Sequence, residues 1–128
     1  MITKITHLTL FVADQAEALL FYHKIGFTIH TDAQFGEMRW LTLCFPAQKD
    51  FELAVLLAET PEEKALVGKQ AASKPLLTIE TDNCQLDYQV LKNSGVVFLS
   101  EPITESWGIS AAFKDLYGNV IYMCQPSQ

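Results

Sequence analysis

Apolar and polar positions change period four times along the chain, and the changes mark its elements. Residues 5–12 and 76–81 are β-branched and apolar without a helical stripe, so each predicts a strand. A helix follows each one. Asp14 and Asn83 are natural N-caps, because their side-chain oxygens take up free N–H groups of a first helical turn. Gly26 and Gly95 stand where a helix C-terminus needs positive φ. Between these ends, Ala18, Leu19, Tyr22 and Ile25 form one predicted apolar stripe. Leu86, Val90 and Leu91 with Tyr88 form the other. After each glycine the pattern returns to strands, at about 27–32, 38–45 and 51–58, then about 96–99, 109–114 and 119–125. The run DLYGN at 115–119 predicts a tight reversal into the last strand.

The two halves are in step. Asp14 and Asn83 lie 69 positions apart, Gly26 and Gly95 share that offset, and Leu8, Thr9 and Leu10 fall on Leu77, Thr78 and Ile79. The chain is therefore read as one domain over 1–128 built from a repeated β-α-β-β-β module. Module one covers about 1–59, a polar connector about 60–74, and module two about 75–128. Within the connector, Thr60, Pro61 and Glu63 make a capping box with Pro at N1, which predicts a short helix from 61 to about 67, closed by Gly68.

Charge and cysteine usage narrow the function. Nine Lys+Arg against 15 Asp+Glu give a formal net charge of −6, with no basic patch to meet nucleic acid or an anionic membrane. The balance mildly favours a cationic small molecule. Cys44, Cys84 and Cys124 form no CxxC and no even framework, so they are expected as reduced thiols. The longest apolar run, Leu53–Ala58, is six residues, too short to span a membrane as a helix. The start MITKITHLTLFVAD lacks the apolar stretch and cleavage site of a signal peptide, so a cytoplasmic location is expected.

The twofold β-α-β-β-β order, the opening ITHLTLFVAD, the helix ending FYHKIGF and the closing FKDLYGNVIYMCQ resemble the vicinal oxygen chelate superfamily of glyoxalase I, extradiol dioxygenases and bleomycin-resistance proteins. The resemblance covers nearly the whole chain. It implies an α+β fold whose two curved mixed sheets form a cup with helices outside, a small-molecule ligand held in the cup, and a homodimer. Many relatives hold a divalent metal at four positions, on the first and last strands of each module. Carried onto this chain, these are His7, Glu52, Leu76 and Tyr122. Leu76 is a hydrocarbon, and a phenol such as Tyr122 is a poor ligand at neutral pH. The expected cofactor is therefore none, or a divalent metal held incompletely by His7 and Glu52. His23 and His30 lie at no family ligand position.

Further candidates follow from strand parity. In EMRWLTLCF, the set Leu41, Leu43 and Phe45 should meet the helix, which leaves Trp40, Thr42 and Cys44 toward the cup. Trp40 there gives a flat wall for an aromatic or cationic ligand, or else serves ordinary packing or a dimer contact. Thr9 and Thr78 join it as candidate binding positions. Tyr122 is a candidate hydrogen-bond donor to the ligand. Trp107, in the loop ITESWGIS, is a candidate lid. Glu52 is the candidate catalytic base, and Glu80 is expected at a solvated strand end. Cys44 and Cys124 read as small hydrophobes. Cys84 sits at a helix N-terminus without a basic neighbour in sequence. Two functions stay open: a metal-free binding protein, or a metal-dependent lyase, isomerase or dioxygenase using His7 and Glu52.

Overall fold

A computed structural model describes residues 1–128. The chain divides into two compact units, Met1–Val67 and Gly68–Gln128, so the connector helix belongs to the first. The first unit realises the expected β-α-β-β-β order, the second adds one further short strand to it, and the fold class is α+β. No helix is long and apolar enough to cross a membrane.

In the first unit, β1 (His7–Val12), α1 (Gln15–Lys24), β2 (Thr28–Phe35), β3 (Met38–Phe45) and β4 (Gln48–Leu57) precede α2 (Pro61–Leu66). The sheet order is β1-β4-β3-β2, with β1 parallel to β4 and the other pairs antiparallel. Asp14 caps α1 by accepting from the Glu17 N–H at 2.9 Å, and Thr60 caps α2 by accepting from the Glu63 N–H at 3.1 Å. Leu10, Val12, Leu41, Leu43, Leu53 and Val55 alternate onto the sheet face that carries the core, where Ala18 and Tyr22 of α1 are also fully buried. Each such large side chain contributes about 1.5–3 kcal/mol of burial. Gln15 fixes the start of α1 to the sheet, its amide donating to the carbonyls of Arg39 and Val55, each at 2.9 Å. Because Leu41, Leu43, Leu53 and Val55 fill the core face, their alternates Trp40, Thr42, Glu52 and Ala54 occupy the other one.

In the second unit, β5 (Pro75–Glu80), α3 (Cys84–Asn93), β6 (Val97–Phe98), β7 (Ile103–Glu105), β8 (Gly108–Lys114) and β9 (Val120–Pro126) make a five-stranded sheet. β5 runs parallel to β9, and both β6 and β7 pair with β8. Asp115 builds the predicted reversal. One carboxylate oxygen accepts from the N–H groups of Tyr117 and Asn119, and the other from the Asn119 amide at 2.8 Å.

Three expectations need correction. Ile103–Glu105, read within a loop, is a strand; all three residues are exposed, so burial alternation could not announce it. The strand after α1 runs on to Phe35 instead of stopping near 32. Leu86 and Val90 are both 56% exposed, because α3 buries the line Cys84, Tyr88 and Leu91 instead. Those three recur at i, i+4 and i+7, and only one of them was in the expected stripe besides Tyr88.

Candidate functional site

Strand register assembles one polar cluster on the first sheet. The parallel pairing sets His7 of β1 opposite Glu52 of β4, and Thr42 of β3 lies opposite Ala54, next along the same face. His7 Nε2 stands 3.2 Å from Glu52 Oε2. The Thr42 hydroxyl donates to Glu52 Oε1 at 2.6 Å, a short, charge-assisted bond. Trp40, two residues before Thr42, brings its ring to 5.8 Å from the His7 ring at a 56° tilt. His7, Trp40, Thr42 and Glu52 are thus brought together, and Thr9, opposite Ala54, lies beside them.

His30 is the residue that the sequence reading passed over. Ile29 pairs with Leu43 and Thr31 with Thr42, so β2 carries one residue more than β3 there. This bulge sets His30 and Thr31 together against Thr42. His30 Nδ1 lies 3.0 Å from Glu52 Oε1 and 2.8 Å from the Thr31 hydroxyl. A signal was available: Thr28 pairs with Cys44, so period-two alternation carries His30 onto the face of Thr42. Thr6 was also missed; its hydroxyl lies 2.8 Å from His7 Nδ1.

The cluster is layered. Thr42 is fully buried, the Glu52 side chain is 14% exposed, and the two imidazoles above it are 36% and 34% exposed. Both Glu52 oxygens are engaged, one by His7 and the other by His30 and Thr42. A ligand on this face meets imidazole and indole before it meets carboxylate. Farther along these strands, Phe11, Leu56 and Met38 share the parity of the cluster, and with Gln15, Glu37, Arg39, Leu57, Glu59 and Glu63 they line a cavity of about 200 Å³ at the strand ends. From residue 7 to residue 11 of a strand is about 13 Å, so the face grades from polar to apolar over the length of a small molecule.

The second-unit candidates fall into two places. Thr78 and Tyr122 lie opposite one another on β5 and β9, and Tyr122 is 41% exposed. Leu76 falls at the register break between Pro75 and Leu77. Trp107 sits in the β7–β8 turn, where its carbonyl accepts from the Ser127 N–H at 2.8 Å. Tyr122 lies opposite Ala112, well along β9 from the Gly108–Pro126 pair next to Trp107. Glu80 is exposed at its strand end.

The first-unit donors do not fit a divalent metal. The two imidazoles address different oxygens of Glu52 at hydrogen-bond distances of 3.2 and 3.0 Å. No group of three or more His, Cys, Asp or Glu residues has an arrangement that could hold an ion. Thiol chemistry finds no support either. Burial, then the neighbouring Cys124 and Asp87, pushes the Cys84 thiol up, and burial followed by Glu80 does the same to Cys124.

Two tandem units, each a sheet with a helix between its first two strands, make this a small α+β protein. The chain belongs to the glyoxalase/bleomycin resistance protein/dioxygenase superfamily, whose family model matches residues 4–123. It is 35% identical over 125 residues to YurT, an uncharacterized protein of Bacillus subtilis (strain 168), covering 95% of this chain and 98% of that one. Among solved structures, UcmS2 superposes with a TM-score of 0.84 at 28% identity, covering 97% of this chain and 98% of that one. TnmS3, an antibiotic-binding protein from Streptomyces sp. CB03234, superposes with a TM-score of 0.80 at 28% identity, covering 98% of each chain.

Proposed function

We propose that this protein binds a small molecule on the first unit's sheet face, with an aromatic part against Trp40 and a polar group at His7 and His30. The observation that carries this reading is the Glu52-centred cluster with Trp40 on one sheet face, where Phe11 and Leu56 follow at the same parity along β1 and β4. Such a face suits an amphipathic compound: pockets of this kind combine apolar walls with a few fixed polar groups. The likeness to an antibiotic-binding protein supports small-molecule binding as the shared use of the fold. The net charge of −6 mildly favours a ligand that carries a positive group. Thr9 borders the site, while Thr78 and Tyr122 form a secondary polar pair on the other sheet. A homodimer is part of the proposal, since β1 and β2 are both edge strands of the first sheet. Light scattering on the purified protein checks it.

A thermal-shift panel of aromatic and cationic compounds tests the binding reading. A true ligand at 100 times its Kd stabilises by about 2.7 kcal/mol. Trp40→Ala should remove that gain while leaving the free protein folded. A gain that survives in Trp40→Ala would place the ligand elsewhere.

A further inference from the structure

The two imidazoles on Glu52 are not equivalent. An ionised carboxylate accepts hydrogen bonds and donates none, so the ring nitrogen facing it carries the proton. For His7 that nitrogen is Nε2, and its Nδ1 is then left to accept from the Thr6 hydroxyl at 2.8 Å. Both nitrogens of His7 are engaged. For His30 the nitrogen facing Glu52 is Nδ1, which also meets the Thr31 hydroxyl. These protons are assigned from the hydrogen-bond network. In its neutral form an imidazole has one N–H, so with Nδ1–H facing Glu52 the lone pair of His30 lies on Nε2, on a side chain that is 34% exposed.

We infer that His30 Nε2 is the acceptor by which this face selects its ligand, so that the favoured compound presents an O–H or N–H donor beside its aromatic part. Glu52 acts here as a positioning residue: it fixes the tautomer and the ring orientation, and Thr42 holds the carboxylate from below. The bulge in β2 supplies the geometry, because it brings His30 against Thr42, on the same face as Trp40. The inference rests on the proposed binding face and adds the polarity of the group recognised there.

Two measurements on the full chain test it. Long-range ¹H–¹⁵N correlation spectra report which nitrogen of each histidine holds the proton. The expected result is an Nδ1–H tautomer for His30 in the wild type, lost toward a mixture in Glu52→Gln. An Nε2–H tautomer for wild-type His30 overturns the inference. The second measurement compares phenol with anisole, which lacks only the donor, by quenching of Trp40 emission in a Trp107→Phe background. Phenol should bind about five- to tenfold more tightly, and His30→Phe should erase the preference. Equal affinity for the two compounds in the presence of His30 overturns the inference and leaves the binding reading standing. Absence of any Trp40 response to either compound removes both.

Discussion

Thr42→Val isolates the buried base of the cluster. The substitution keeps the side chain's shape and removes one O–H at a fully buried position. What is lost is the 2.6 Å bond to Glu52 Oε1. Hydrogen bonds to charged partners contribute about 1.5–3 kcal/mol. The lower half of that range applies, because Oε1 keeps the His30 contact at 3.0 Å. The expected loss is therefore about 1.5–2 kcal/mol, which for a chain of this size lowers Tm by about 6–8 °C. Urea unfolding followed by fluorescence measures it, with an unchanged slope expected because the exposed area on unfolding barely changes. Thr28→Val is the internal comparison. Thr28 donates to the neutral Cys44 carbonyl at 3.2 Å, so its loss should cost only about 0.5–1 kcal/mol. A Thr42→Val protein within about 0.5 kcal/mol of wild type would refute the reasoning, since Glu52 would then not depend on that hydroxyl.

Other perturbations probe the rest of the molecule. Gly68→Ala would set a methyl group 2.0 Å from the Tyr117 carbonyl oxygen at a φ of +77°, and backbone cannot swing aside; thermal unfolding should show a loss above about 2 kcal/mol. Asn83→Ala removes the acceptor for the Leu86 N–H at 3.0 Å and should cost about 1 kcal/mol by urea titration. Burial raises the Cys84 and Cys124 thiols in the folded state, so the stability they confer is fully present below the unfolded thiol pKa of about 8.5 and is lost as pH rises from there through their folded values. Urea midpoints at pH 7.5 and 9.5 should therefore fall with pH, and fall less in Cys84→Ala.

Much of this architecture was legible in the residues. Two caps, two terminating glycines and a constant offset located both modules, because capping and left-handed backbone are chemically specific local requirements. Parity located Trp40, Thr42 and Cys44 on one face, because the core-facing alternates Leu41, Leu43 and Phe45 are apolar, while Glu52 was marked by the family resemblance. The parts that escaped depend on partners distant in sequence. Ile103–Glu105 is a strand only because β8 offers it hydrogen bonds, and its exposed side chains leave no pattern. α3 buries Cys84 and Tyr88 in preference to the more apolar Leu86 and Val90, a choice made by the sheet it meets. His30 joined the site through a bulge, and its value lies in Glu52, 22 residues on. Family positions drew attention to His7 and away from His30, although the carboxylate bridges both.

The most direct test of binding on this face is a crystal structure of the protein with the most stabilising compound of the thermal-shift panel. The account predicts that compound stacked against Trp40, with a donor group at His30 Nε2 and its apolar end toward Phe11 and Leu56. Clear density for the compound elsewhere, with no contact to Trp40, His7 or His30, would contradict it.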